Sequence, residues 1–396
     1  MLLAAMASGS SILRSVLLSD DSHRMAAALT ALGFSISFNE ADRYITVEGR
    51  SGQIPAVSAD LDAGGAGTAM RFIAGFLTLG QGRYRLDGNA RMRERPISAL
   101  IDALNHLGVS AASELGNGCP PITIDTSPAL FAGGAVTIDA SLSSQFASAL
   151  LLPSPLWRNG LRLTVNGDTA RPFIAMTLRL MEQWGAASTA DGDQITVPGG
   201  QHYRAMDFTV EPDASSASYF AAAAALVGGS VALNGMRRDS VQGDLGLLKI
   251  LEQMGARITW RDDAVIISGD GNLRGVDVAM NDMPDMVLTL AAIAPFASSP
   301  TRITEVKFIR HHESDRIRAL ATELGRLGAN VTEHEDGLTI LPSKLRPAAI
   351  ETYDDHRIAM AFAIAGLRQP GVRIMNPSCV GKTYPGFFDD LRRLTQ

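Results

Sequence analysis

Residues 245–260 read LGLLKILEQMGARITW: an amphipathic helix, a glycine, then a short alternating strand. The same pattern occurs at 25–38 (MAAALTALGFSISF), 97–111 (ISALIDALNHLGVSA), 174–189 (IAMTLRLMEQWGAAST) and 317–332 (IRALATELGRLGANVT). In each copy one glycine follows the last helical residue: Gly33, Gly108, Gly185, Gly255 and Gly328. A glycine there takes the left-handed conformation that caps the final carbonyls and turns the chain into a strand. The copies recur about every 74 residues, the mark of a repeated supersecondary unit. A further helix, 385–396 (PGFFDDLRRLTQ), follows one period after the last of them.

A second series runs in phase with the first. Segments 64–77 (GGAGTAMRFIAGFL), 143–152 (SSQFASALLL), 213–226 (DASSASYFAAAAAL), 282–294 (DMPDMVLTLAAIA) and 354–367 (DDHRIAMAFAIAGL) each have a polar start and an alanine-rich apolar body. Helices apolar nearly all round must be buried, and their exposed first-turn amides favour anions. Five such starts in one chain point to a phosphorylated substrate. Residues 1–11 (MLLAAMASGSS) align with the tails of this series, 72–82 (FIAGFLTLGQG) and 359–371 (AMAFAIAGLRQPG). The opening therefore reads as the rear half of a helix whose polar front turn lies upstream. Six units, the first incomplete, sort into two α/β domains of three, 1–209 and 210–396, built from helices and mixed sheets.

Composition narrows the function. The chain of 396 residues is 46% hydrophobic and 19% charged with a net charge of -6, an ordinary globular balance. A nucleic-acid partner would need a basic face, and no continuous apolar run reaches a membrane-spanning length of about 18 residues. Cys119 and Cys379 have no metal spacing and are too few for a disulfide framework. A reducing cytoplasm and a monomeric state are the expectation.

Without a phosphate-binding lysine loop or a nucleophile elbow, the chemistry falls to acids, bases and cations. Arg91, Arg93 and Arg95 alternate before Pro96, so an extended segment would point all three one way around an anion. Ser143, Ser144 and Gln145 open one buried helix. Asp285 opens another, where partial burial is expected to raise its pKa toward the range of a working base. Glu313 lies among Arg310, His311, His312 and Arg316, and residues 354–357 add Asp354, Asp355, His356 and Arg357; Lys382 follows in GKTYP. No second ligand at metal spacing accompanies His356, so no metal is expected.

The ordered motifs AGTAMRF (66–72), RMRERPI (91–97), SSQFASALL (143–151), RPFIAMTL (171–178), VEPDASSASYF (210–220), QGD (242–244), MPDMVLTLA (283–291), HESDRI (312–317), TYDDHRIAMAF (352–362) and GKTYP (381–385) together resemble the EPSP synthase family, 3-phosphoshikimate 1-carboxyvinyltransferases. The resemblance implies two threefold pseudosymmetric domains that close on substrate, an inverse α/β barrel arrangement. It implies transfer of the enolpyruvyl group of phosphoenolpyruvate to the 5-hydroxyl of shikimate 3-phosphate, with no cofactor. On the matching positions, Asp285 would be the base at the hydroxyl and Glu313 the proton-transfer acid at the methylene carbon. Gly67, Arg91, Gln145, Arg316, Arg357 and Lys382 would hold phosphoenolpyruvate. Ser143, Ser144, Gln145, Asp285 and His312 would hold shikimate 3-phosphate.

Several positions depart from the family pattern. A Gly-Ser-Lys-Ser element is expected upstream of Met1 together with a strand that belongs to the second domain, so low turnover is expected of the chain as it stands. Ala170 stands where a phosphate-binding serine is usual, His312 where lysine is common, and Phe308 where asparagine is frequent. Two other readings remain. A sister family transfers enolpyruvyl to UDP-N-acetylglucosamine through a cysteine in an arginine-flanked loop, and RMRERPI has no cysteine. A non-catalytic ligand-binding fragment is the other, against which the retained acids and cations speak.

Overall fold

A computed structural model describes residues 1–126 and 131–395, divided into two compact units, Met1–Val210 and Glu211–Gln396. In unit 1 the first repeat holds α1 (Leu2–Met6), β1 (Ser8–Arg14), α2 (Asp20–Ala31), β2 (Ile36–Asn39) and β3 (Tyr44–Arg50). The second holds β4 (Ser58–Asp62), α3 (Gly67–Phe76), β5 (Arg83–Asp87), α4 (Ser98–His106), β6 (Ser110–Ser113) and β7 (Ile122–Asp125). The third holds β8 (Gly134–Asp139), α5 (Gln145–Leu151), β9 (Leu161–Asn166), α6 (Arg171–Gln183), β10 (Thr189–Asp191) and β11 (Gln194–Val197), and β12 (Asp207–Thr209) ends the unit.

Unit 2 repeats the plan. It runs α7 (Ala214–Val227), β13 (Gly229–Asn234), α8 (Gly246–Gln253), β14 (Arg257–Arg261) and β15 (Ala264–Gly269). Next come β16 (Asp277–Ala279), α9 (Met286–Ile293), β17 (Thr301–Thr304), α10 (Arg316–Arg326), β18 (Val331–His334) and β19 (Gly337–Ile340). The chain finishes with β20 (Ala349–Ile350), α11 (His356–Arg368), β21 (Arg373–Ile374) and α12 (Phe387–Thr395).

Each complete repeat is a parallel strand pair joined through one helix, followed by a second helix and an antiparallel hairpin. The sheet orders β4-β5-β7-β6, β8-β9-β11-β10 and β16-β17-β19-β18 are the same arrangement three times. In the first repeat the parallel partner of β1 comes from the far end of the unit: β12 pairs with it in the register Ile12↔Asp207, and Arg14 Nε donates to Asp207 at 2.7 Å. Among the described residues the sheets of unit 2 have three, four and two strands.

The two helix series separate as their patterns demand. The inner series is buried along most of its length; every residue of α9 has no exposed surface, and the pairs α3·α5, α7·α9, α7·α11 and α9·α11 pack directly. Outer helices keep one wet face: α10 buries Ile317, Leu320 and Leu324 while Arg318 and Thr322 face out. All five glycines singled out in sequence have positive φ, between 85° and 116°. Their backbone closure is identical, with the next residue's N–H reaching the carbonyl five residues back, as in Phe34 to Leu29, Val109 to Leu104 and Ala256 to Leu251. This double-bonded helix stop turns each outer helix into the strand that follows it.

Candidate active site

In unit 1 the starts of α3 and α5 gather side chains from three segments. Gln145 Nε2 donates to Thr68 Oγ1 at 3.1 Å, tying the first residue of α5 to the first turn of α3. Ser143 Oγ accepts from the Gln145 N–H at 3.2 Å, while Ser144 is buried beside it. Arg71 donates to the Gly67 carbonyl at 3.1 Å and lies over the Phe146 ring, and Arg95 presses on the same glycine. A methyl group at Gly67 would sit 2.5 Å from Arg71 Nη1 and 2.8 Å from Arg95 Nη2. Both guanidinium side chains are buried. Ala170 precedes α6 in a left-handed conformation, next to Thr169, whose hydroxyl donates to the Ser141 carbonyl at 2.9 Å.

The shared face expected of Arg91, Arg93 and Arg95 does not form. Met92–Glu94 is a turn of 3-10 helix, with three residues per turn instead of two. Arg91 therefore pairs with Glu94 at 2.9 Å, Arg93 turns back to Asp87 at 2.7 Å, and Met92 and Arg95 go inward. Of the three, Arg95 is the one against Gly67, whereas the resemblance names Arg91 together with Gly67 as holding phosphoenolpyruvate. The buried Met92 one turn before it was the available signal.

Unit 2 builds a denser constellation at the starts of α9, α10 and α11. Arg316 has 1% of its side chain exposed, and its guanidinium donates to Asp285 Oδ1 at 2.7 Å and, through Nε, to Asp355 Oδ2 at 2.8 Å. It also pairs with Glu313 at 3.0 Å and donates to His312 Nδ1 at 3.2 Å. Arg357 meets the other oxygen of Asp285 at 2.9 Å, and Lys382 lies 3.8 Å from Glu313. Asp355 caps α11 through the Arg357 N–H and accepts from the Ser314 hydroxyl at 3.0 Å. The structure thus brings Asp285, His312, Glu313, Arg316, Arg357 and Lys382 into one cluster, although they come from four segments of the chain.

Electrostatics here departs from the expectation for Asp285. Burial would push its carboxyl up, but Arg357, Arg316 and His312 together outweigh burial and hold it well below the ordinary carboxylate range. Asp244, for which sequence reasoning gave no role, shows the raised value instead. Burial first, then the charge of Asp285, pushes its carboxyl to about 7 against the pull of Arg357. It accepts from the Ser215 hydroxyl, and its second oxygen has no hydrogen-bond partner among the described residues. His356 is buried with neither ring nitrogen hydrogen-bonded among the described residues; desolvation and the charge of Arg357 hold it neutral, with a pKa of about 3. Three carboxylates (Asp285, Glu313, Asp355) and three cations (Arg316, Arg357, Lys382) make the cluster close to charge-balanced. An incoming anion must compete with carboxylates already in place.

A family model described as EPSP synthase (3-phosphoshikimate 1-carboxyvinyltransferase) matches residues 1–391. A 3-phosphoshikimate 1-carboxyvinyltransferase of Trichormus variabilis is 46% identical over 390 residues, covering 98% of this chain and 91% of that protein. The chloroplastic protein of the same name from Nicotiana tabacum is 41% identical over 415 residues, covering 100% of this chain and 80% of its own length. An EPSP synthase structure from Acinetobacter baumannii superposes with a TM-score of 0.82 at 27% identity, covering 99% of this chain and 91% of that one. Matched from end to end by sequence motif and by the repeated architecture that carries those motifs, the chain belongs to the EPSP synthase family.

Proposed function

We propose that this protein, a carboxyvinyltransferase, moves the enolpyruvyl group of phosphoenolpyruvate onto the 5-hydroxyl of shikimate 3-phosphate and releases phosphate, a step toward aromatic amino acids. The carrying observation is the buried Arg316, bridging Asp285, Glu313 and Asp355 beside Arg357 and Lys382. In this reading Arg316, Arg357 and Lys382 take the carboxylate and phosphate of phosphoenolpyruvate. As those anions engage the arginines, their hold on Asp285 weakens and its pKa climbs toward that of a working base.

Asp285 then accepts the hydroxyl proton as the oxygen bonds to C2 of phosphoenolpyruvate, and Glu313, protonated from solvent once the substrate anions draw Arg316 and Lys382 away from it, delivers that proton to the methylene carbon. The tetrahedral adduct expels phosphate, Glu313 recovers a proton from the methyl group, and the proton on Asp285 leaves with the phosphate. In unit 1, Gly67, Arg95 and Gln145 would contact phosphoenolpyruvate, with Arg95 in the role first given to Arg91. Ser143, Ser144 and Gln145, with His312 and Asp285 of unit 2, would contact shikimate 3-phosphate. The reaction so written needs positioning and charge stabilisation, and no cofactor. The free thiols of Cys119 and Cys379 support a reducing, cytoplasmic setting, and a monomeric state is the expectation that size-exclusion chromatography with light scattering would test.

Phosphate release measured with both substrates tests the assignment. Asp285→Asn and Glu313→Gln should each lower kcat by about 10²-fold or more. Binding of shikimate 3-phosphate, and none of UDP-N-acetylglucosamine, is expected by calorimetry. Wild-type turnover in both variants, or preference for the UDP-sugar, would overturn the reading.

A further inference from the structure

The segment between β20 and α11 contains two consecutive non-glycine residues in the left-handed region, Tyr353 (φ 55°) and Asp354 (φ 56°). L-residues avoid that region, so neighbouring structure must hold the segment there. Much of the hold comes from Glu323 of α10, whose surface is fully buried. Its Oε1 accepts from the Tyr353 hydroxyl at 2.6 Å and its Oε2 from the Glu351 N–H at 3.1 Å, with Arg326 at 3.2 Å balancing its charge. Tyr353 is itself 44% exposed, and its hydroxyl is the atom that reaches the buried carboxylate. At the other end of the segment, Arg316 grips Asp355.

Arg316 and Glu323 stand seven residues apart on one helix, two turns, and so share its buried face. One rigid element therefore pins the segment at both ends, residues 351–353 through Glu323 and residue 355 through Arg316. Directly beyond lies Arg357, whose N–H is capped by Asp355. We propose that Glu323 and Tyr353 form a clasp that positions Asp355 and Arg357, making Glu323 a positioning residue for the anion cluster without touching substrate. The inference rests on the proposed function for its kinetic effect and is independent of it for its structural effect.

Tyr353→Phe removes one bond of the clasp, Glu323→Ala removes both acceptors, and Glu323→Gln keeps one acceptor oxygen. Backbone amide exchange over residues 351–357 should quicken at least tenfold in Tyr353→Phe and Glu323→Ala, with exchange in α7 and α9 unchanged. In steady-state assays KM for phosphoenolpyruvate should rise about tenfold in Tyr353→Phe while kcat changes less, and Glu323→Gln should recover part of what Glu323→Ala loses. Unchanged exchange in 351–357, or a lower unfolding midpoint with wild-type KM, overturns the clasp. If the unaltered protein binds neither phosphoenolpyruvate nor shikimate 3-phosphate by calorimetry while the variants still loosen 351–357, the clasp stands and the assigned reaction fails.

Discussion

Gly67 shows how little room one residue leaves. Its missing side chain is the space occupied by the guanidinium groups of Arg71 and Arg95. In Gly67→Ala the new methyl would have to move Arg71, which is pinned to the Gly67 carbonyl and the Phe146 ring, or Arg95, whose Nη2 lies 2.8 Å from the same point. On the proposed role of Arg95 at phosphoenolpyruvate, its displacement weakens binding more than it slows chemistry. KM for phosphoenolpyruvate should therefore rise about tenfold or more with kcat reduced less, corresponding to about 1.4 kcal/mol of lost binding. An unaltered KM would mean that Arg95 does not touch this substrate. Treating 91–95 as extended gave a two-residue period, and the real three-residue period sends Arg95 inward and Arg91 toward Glu94. Asp285 was misjudged for a related reason: its burial was legible, but Arg316 and Arg357 are distant in sequence and only the fold brings them to its two oxygens.

The elements were more legible than the residues because their information is local and repeated. A helix apolar on every side and a helix closed by glycine are distinct patterns, and each recurs in phase with the other. The five glycine stops all adopt the conformation their position demands, and one of them isolates the backbone contribution. A Cβ at Gly108 (φ 95°) would meet no atom within 4 Å, so Gly108→Ala changes strain without creating a clash. It should destabilise unit 1 by about 1 kcal/mol, and Gly108→Asn by less, because asparagine tolerates the left-handed region better. Urea unfolding midpoints read this directly. An alanine variant as stable as the parent would show that the helix stop is not set by φ. The parallel strand pairs were not foreseen individually; β16, β20 and β21 are three residues or fewer, too short for any alternation to register.

For the molecule as a whole, two buried groups in unit 2 set opposing responses to pH. Asp244 titrates near 7 when folded against an ordinary value of 3.8, so the stability it contributes is complete below pH 3.8 and is lost as pH rises toward 7. His356 titrates near 3 against 6.5, so its contribution is present above pH 6.5 and is lost as pH falls toward 3. Between those limits the two slopes largely cancel. Asp244→Asn, which keeps an acceptor for the Ser215 hydroxyl, should expose the histidine slope, up to about 1.4 kcal/mol per pH unit, and should gain stability over the parent at pH 8. Urea unfolding of the two proteins at pH 5 and pH 8 decides this; parallel curves would contradict it.

The pairing of β1 with β12 also bears on how the chain leaves the ribosome. Arg14 and Asp207 are 193 positions apart. At about 5–20 residues per second, the outer edge of β1 waits roughly 10 to 40 seconds for its parallel neighbour to be synthesised. Throughout that interval the nascent chain carries an unsatisfied strand edge, and the first repeat can finish its sheet only after the other two have been translated.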